Sequence, residues 1–238
     1  MRLSRLGKFV LGGILWGLAF SFFVVLVEPT PENLTLAVSI TLSGLYTGLL
    51  FLTRKYWLNG LSRKPVRNAI LLGSFNAAVI ETLFLLIEKA FSASGVAAHP
   101  NLLIDLLITM PWYIGMVWIF VKVQNEERFP LAAVLLLGAV YELGADGIVG
   151  GVIMPAIMGT PVNLIEFTIL ALLAAFWQFI PVYSSIVLPP AWVLETADSV
   201  AGAGKKRWRR AFKPLILLIP FSVYLVLLML ILSGVELL

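Results

Sequence analysis

The chain alternates between long apolar runs and short polar stretches. Seven runs are long enough to cross a bilayer, because a spanning helix needs about 20 mostly apolar residues. The pattern predicts an all-α integral membrane protein with seven transmembrane helices, called spans 1 to 7 here. The stretches between the runs are too short for a soluble domain, so we expect residues 1–238 to form one membrane domain. The seven predicted spans lie at residues 9–27, 34–53, 68–90, 101–121, 130–152, 162–188 and 214–235.

Composition supports the membrane class and limits the chemistry. Hydrophobic residues make up 60% of the chain and charged residues 13%, with a mean hydropathy of +0.98. The chain has no cysteine, which excludes disulfides, thiolate nucleophiles and cysteine-ligated metals. Its single histidine, His99, excludes a histidine-rich metal site. We therefore expect neither a metal nor a cofactor, and the chemistry must come from carboxyl, hydroxyl, amide and aromatic groups.

The basic residues predict the orientation in the membrane. Lysine and arginine precede span 1, lie between spans 2 and 3, follow span 4 and precede span 7, whereas the three loops on the other side carry none. Cytoplasmic loops are enriched in these residues, so we expect the N-terminus in the cytoplasm and the C-terminus outside. Arg2, Arg5 and Lys8 before an apolar run could mark a signal peptide. The run has no convincing small-residue cleavage site, which favours a retained first helix.

An offset of 61 residues brings the intramembrane acids into register. Glu81 then aligns with Glu142 and Asp105 with Glu166, and ten of the 44 pairs between Ala78/Ala139 and Val121/Val182 are identical. This register predicts an internal two-helix repeat in which spans 3–4 correspond to spans 5–6. The two copies cover approximately residues 68–122 and 129–183.

A carboxylate in an apolar stretch is costly unless it is protonated, paired or facing water. Glu142 and Asp146 are four residues apart and share a helix face, and no lysine or arginine lies at the depth of these acids. We therefore predict one site in the outer half of the membrane, although carboxyl groups that join helices by hydrogen bonds are the alternative. The predicted catalytic residues are Glu81, Asp105, Glu142, Asp146 and Glu166, and the predicted substrate contacts are Asn163, Tyr141, Trp177 and Trp112.

Two short motifs carry a family resemblance. The run Tyr141-Glu142-Leu-Gly-Ala-Asp146-Gly147, followed by Gly159-Thr-Pro161-Val-Asn163, resembles the acid-x3-acid and Gly-x-Pro-x-x-Asn elements of carotenoid hydratases. The segments 100–105 and 161–166, each a proline followed five residues later by an acid, resemble the Pro-x-Glu-Glu element of membrane lycopene cyclases. The resemblance covers about 30 residues. It departs from the families in lacking the double glutamate, in placing Asn163 one residue early, and in repeating over two helices where the cyclases repeat over three.

Three functions are compatible with an acidic membrane site. The first is a membrane enzyme that uses carboxylic acids to protonate an isoprenoid-type lipid and so start cyclisation or hydration. The second is a cation- or proton-coupled transporter or channel with an outward-facing acidic site. The third is a non-catalytic subunit of a larger membrane complex. The expected partners are a lipid-soluble substrate and, at the basic cluster Lys205–Arg210, anionic lipid rather than nucleic acid. The expected location is a prokaryotic cell membrane.

Overall fold

The computed structural model describes residues 4–196 and 207–234, and the regular structure in these ranges is helical. Two segments have π-helical hydrogen bonding, Leu143–Ile153 and Ala171–Ala175, and Lys213–Leu217 is a 3₁₀-helix. The α-helices are α1 (Arg5–Val27), α2 (Pro31–Leu61), α3 (Pro65–Phe91), α4 (Leu102–Glu127), α5 (Leu131–Glu142), α6 (Met154–Ile157), α7 (Leu164–Leu170), α8 (Phe176–Thr196), α9 (Trp208–Ala211) and α10 (Leu218–Gly234).

Seven helical segments within the described residues are long and apolar enough to cross a membrane, in agreement with the predicted number and order of spans. The chain is thus an all-helical membrane protein. The predicted ends of several spans were too early, most clearly for span 2, which extends to Leu61, and span 6, which extends to Thr196. Hydropathy marks only the apolar part of a helix, whereas the helices continue into polar residues and, in span 6, through Pro189 and Pro190. The seven segments are Arg5–Val27, Pro31–Leu61, Pro65–Phe91, Leu102–Glu127, Leu131–Ile157, Leu164–Thr196 and Trp208–Leu232.

Helix α8 lies at the centre of the bundle. All fifteen residues from Ile180 to Leu194 are buried, because α8 packs against α1, α2, α3, α4 and α5. A helix that is apolar on every side is stable only where protein or lipid surrounds it completely. The central position of α8 is the reason why the side chains of span 6 meet those of five other spans.

Glycines allow the neighbouring helices to approach α8 closely. A Cβ at Gly17 of α1 would lie 2.7 Å from the backbone carbonyl carbon of Trp177, and one at Gly138 of α5 would lie 3.1 Å from the Cβ of Tyr183. At Gly73 of α3, an added Cβ would lie 2.7 Å from Val117 of α4. Lipid is as apolar as the helix surfaces, so close backbone packing through small residues is what holds membrane helices together.

The contact between α1 and α8 yields a testable prediction. Gly17→Ala should lower the free energy of unfolding by about 1–3 kcal/mol, since the new methyl group meets backbone atoms that cannot rotate away. Gly12→Ala is the matched control, because a Cβ at Gly12 meets no heavy atom within 4 Å. Thermal unfolding of the purified protein in detergent measures both changes. Equal melting temperatures for the two variants would contradict the packing described here.

Candidate functional site

Four of the predicted acids come together inside the bundle. Glu81 of α3 lies within electrostatic range of Asp105 of α4 and of Asp146 in the π-helix 143–153. Glu142, the last residue of α5, lies beside Asp146 and within range of Glu81. The structure therefore joins side chains from spans 3, 4 and 5 into one group, called the acid cluster here. Glu81 lies ten residues before the end of α3, which places it ~15 Å from that helix end.

Tyrosine hydroxyl groups accompany the acids. The Tyr113 hydroxyl donates a hydrogen bond of 2.6 Å to Oε1 of Glu81. The Tyr113 ring lies 5.7 Å from the ring of Tyr183, measured between centroids. Both tyrosines are buried, at 3% and 0% exposure. The acid cluster thus borders two phenol rings whose hydroxyl groups can give or accept protons.

A second tyrosine contact orients the proton of Tyr183. The indole Nε1 of Trp112 donates a hydrogen bond of 3.0 Å to the Tyr183 hydroxyl oxygen. This oxygen has one hydrogen of its own, and because the indole can only donate, that hydrogen must point to another acceptor. Glu142 lies beside Tyr183 and supplies the acceptor. Oε2 of Glu142 is buried and has no protein hydrogen-bond partner, so it is available to another group.

The π-helix that begins after Glu142 changes the backbone at the site. It runs from Leu143 to Ile153 and contains Asp146. Such helices are rare and are found frequently at functional sites. Asp146 is exposed, although its neighbours include Glu81 and Glu142. Asp146 is therefore the most exposed member of the acid cluster.

Asp105 lies at the edge of the cluster and contacts the loop before α4. Its side chain has no exposed surface, and Oδ1 accepts a hydrogen bond of 3.2 Å from the backbone N–H of His99. Nearby Glu88, 5% exposed, accepts a hydrogen bond of 3.0 Å from the N–H of Val96 and another from that of Ala97. These two carboxyl groups hold the loop 92–101. Asp105 therefore has a structural role in addition to its place beside Glu81.

The structure does not bring Glu166 into the acid cluster. Glu166 is exposed on α7, and its carboxylate accepts a hydrogen bond of 3.4 Å from the side-chain amide of Asn163. The two predicted copies differ by one residue in the position of the helix cap. Asn101 caps α4 and Asp105 follows four residues later, whereas Asn163 caps α7 and Glu166 follows three residues later. One residue is about 100° of rotation around a helix, so the two acids point in different directions relative to their caps.

Two of the predicted substrate contacts lie elsewhere. Trp177 packs against α1 at Gly13, and its indole donates a hydrogen bond of 3.1 Å to the carbonyl of Leu172. The hydroxyl of Tyr141 donates a hydrogen bond of 2.6 Å to the carbonyl of Ala211, at the beginning of span 7. Tyr141 faces away from Glu142 because successive helix residues point about 100° apart. Trp177 is on α8, and its contacts are with α1 and Leu172 rather than with the acids. Trp112 is the one predicted aromatic that contacts the cluster, through Tyr183, and Asn163 serves as the cap of α7.

Sequence reasoning missed a buried amide below the cluster. Asn76 of α3 has no exposed surface, accepts a hydrogen bond of 2.9 Å from the Tyr46 hydroxyl and donates one of 2.7 Å to the carbonyl of Ser185. Beside it, the hydroxyl oxygens of Thr47 and Ser184 are 2.6 Å apart. The sequence feature that could have identified this site is an asparagine within an apolar span. The 61-residue register did not single it out, because the residue aligned with Asn76 is the apolar Leu137.

No three histidine or acidic side chains in residues 4–196 and 207–234 are grouped so that they could hold a metal ion. Lys205 and Lys206, where anionic lipid was predicted to bind, lie outside the described residues. No protein-family model matches the chain, and neither a curated protein nor a solved structure was found that is similar to it. The acid cluster itself is therefore the basis for assigning a function.

The hydrogen bond between Tyr113 and Glu81 yields a second prediction. Tyr113→Phe should lower the free energy of unfolding by about 1–3 kcal/mol, because it leaves a buried carboxyl group without its donor. Tyr56→Phe, at a tyrosine 77% exposed, is the control and should change stability by less than about 0.5 kcal/mol. Combined with Glu81→Leu, Tyr113→Phe should cost less than it does alone. Strictly additive effects in this double-mutant cycle would contradict the contact.

Proposed function

We propose that the protein is a membrane-embedded enzyme that uses the acid cluster to protonate an isoprenoid-type lipid and so starts cyclisation or hydration. The observation that carries the proposal is the composition of the cluster. Four carboxyl groups lie within electrostatic range of one another, Tyr113 is hydrogen-bonded to Glu81, and Tyr183 lies beside Glu142. The electrostatic neighbours of Glu142 are Asp146, Glu81 and Tyr183 rather than a lysine or arginine. Acids in apolar surroundings without a cation are held in their neutral form, which is the form that can donate a proton.

The chemistry would begin at Glu142. Its carboxylic acid gives a proton to one carbon of an alkene, the alkene π electrons form the new C–H bond, and a carbocation remains on the other carbon. The carboxylate of Glu142 is then held by the hydroxyl of Tyr183. The phenol rings of Tyr113 and Tyr183 offer their π faces to the cation. After ring closure the cation loses a proton from a neighbouring carbon, and the electrons of that C–H bond form a new alkene; in hydration it instead binds water, and the resulting oxonium ion loses a proton. In both cases the carboxylate of Glu142 takes up the released proton and returns to the acid form.

The surroundings of the π-helix fit a substrate that enters from the bilayer. Around Gly144 the nearest side chains are Leu215 and Leu218 of span 7, and beside Gly151 lies Phe167 of α7. These side chains are apolar, whereas Asp146 between them is exposed. A lipid dissolved in the membrane could reach the cluster along such a surface without crossing water.

The proposal includes the orientation of the chain in the membrane and the internal repeat. We infer from the distribution of lysine and arginine that the N-terminus is cytoplasmic and the C-terminus is outside, in a prokaryotic cell membrane. The acid cluster would then lie between the middle and the outer surface of the bilayer. We also retain the two-helix repeat, with spans 3–4 and 5–6 as its copies, as the origin of the paired acids Glu81 and Glu142. In the second copy, the π-helix and the shifted cap at Asn163 separate Glu166 from them.

Proton-coupled transport is the second candidate, and the Asn76 network favours it. Asn76, Tyr46, Ser184 and Thr47 extend buried polar groups beyond the acid cluster. Asn76 lies five residues before Glu81 on α3, about 7.5 Å along the helix axis. A transporter needs such polar groups to continue from one side of the membrane to the other, whereas an enzyme needs them only at the reacting centre.

Incubation in deuterated water separates the two functions. Purified protein in detergent is mixed with long acyclic isoprenoids, and the products are analysed by mass spectrometry. Protonation of an alkene should place one solvent deuterium on carbon, with no other mass change after cyclisation or with the added mass of one water after hydration. Unchanged isoprenoids, together with pH-gradient-driven uptake or proton flux in proteoliposomes that Asn76→Leu abolishes, would favour transport instead.

Substitution of the acids tests the position of the site. Glu142→Gln should reduce turnover by at least about 100-fold, because the amide keeps the size of the acid but cannot donate its proton. Glu166→Gln should retain activity within about twofold, because Glu166 is exposed and its partner is Asn163. Both proteins should keep melting temperatures close to the native value. If Glu166→Gln were as damaging as Glu142→Gln, the site would follow the sequence repeat and not the observed cluster.

A further inference from the structure

A groove lies at the basic end of the bundle, between the end of span 4 and the beginning of span 7. Its volume is about 390 Å³, and an adjoining cleft of about 640 Å³ lies beside Arg207–Arg210. The groove is far along α4 from the acid cluster, since Lys122 is 17 residues after Asp105. The groove is lined by Lys122, Arg210 and Lys213, by Glu126, and by the apolar residues Ile119, Val123 and Ile216.

The charges in this region are unequal. Arg210 forms ion pairs with Glu126 and, at 2.9 Å, with Glu127, and Glu127 also accepts a hydrogen bond of 2.9 Å from the backbone N–H of Arg207. The two carboxylates are thus occupied by Arg210 and its neighbour. Within the described part of the chain, Lys122 and Lys213 form no ion pair, although Lys122 lies 3.7 Å from the centre of the Trp118 ring. The groove therefore keeps two ammonium groups for an anion.

The apolar side of the groove identifies the kind of anion. Ile216 is 68% exposed, and the exposed side chains Phe212 and Ile219 continue the apolar surface along span 7. A free phosphate ion would gain nothing from these residues. A phospholipid would gain from both sides of the groove, because its phosphate would meet the lysines and its acyl chain would cover the isoleucines.

We propose that this groove binds one anionic phospholipid, with its phosphate between Lys122 and Lys213 and an acyl chain along Ile119 and Ile216. Arg210 would be a fixed wall of the site, held by Glu126 and Glu127, rather than its main anion contact. The bound lipid would join span 4 to span 7, because each span contributes one lysine and one isoleucine. The proposal does not depend on the chemistry of the acid cluster.

Native mass spectrometry of the delipidated full chain tests the proposal. Titration with phosphatidylglycerol should show one saturable lipid, whereas phosphatidylcholine and inorganic phosphate should bind at least about tenfold more weakly. Loss of both charges in K122Q/K213Q should weaken phosphatidylglycerol binding roughly 25-fold, at about fivefold for each lysine. The matched control is R63Q/K64Q, which removes two exposed charges from the loop between spans 2 and 3 and should leave binding unchanged.

A third variant distinguishes a lipid site from an anion site. Ile216→Ser changes an exposed side chain, so it should fold normally, and it should weaken phosphatidylglycerol binding while leaving glycerol 3-phosphate binding as it was. Equal loss of lipid in K122Q/K213Q and R63Q/K64Q would show that the basic end attracts lipid only through its overall charge. Binding of inorganic phosphate as tight as that of phosphatidylglycerol would also overturn the proposal.

Discussion

The burial of α8 on all sides is the constraint on which the rest of the structure depends. A helix surrounded by five others leaves little space, and glycines such as Gly17, Gly73 and Gly138 provide it where side chains would collide. The same position places Tyr183 between Trp112 of α4 and Glu142 of α5. The burial of α8 therefore determines both the helix packing and the position of Tyr183 beside Glu142. A substitution that displaces α8 would separate the tyrosine from the acid as well as destabilise the bundle.

Polar groups in the apolar interior of the bundle differ in whether they have hydrogen-bond partners. Asn76 has partners for both its oxygen and its amide nitrogen, and Glu88 holds two backbone N–H groups of the loop 92–101. By contrast, Oδ2 of Asp105 and Oε2 of Glu142 are buried without a protein partner. An unpartnered polar atom in such a place costs stability, so its retention points to a function. The hydroxyls of Thr35, Ser39, Ser74 and Ser185 are also buried without a partner, so what distinguishes the acid cluster is that its unpartnered atoms belong to carboxyl groups, which cost more to bury.

Local backbone structure separates the two copies of the predicted repeat. Glu81 lies within regular α3, whereas Glu142 is followed by eleven residues of π-helix. Four glycines, Gly144, Gly147, Gly150 and Gly151, occur in this segment. Asp146 lies among them and is exposed, whereas Glu81 is half-buried and Glu142 is buried. The segment that follows Glu142 thus differs from the segment around Glu81 both in backbone structure and in exposure.

The sequence by itself determined the membrane class, the seven spans and their order, because hydrophobic length and the spacing of polar residues are local properties that one chain displays directly. It also singled out Glu81, Asp105, Glu142 and Asp146 through their cost in an apolar run. The tertiary structure alone decided that Glu166 and Trp177 lie apart from them and that Tyr113 and Tyr183 lie beside them. The physical reason is rotation. Hydropathy reports the depth of a residue along a helix, whereas the direction of its side chain changes by about 100° with each residue and depends on caps, π-helical turns and neighbouring helices.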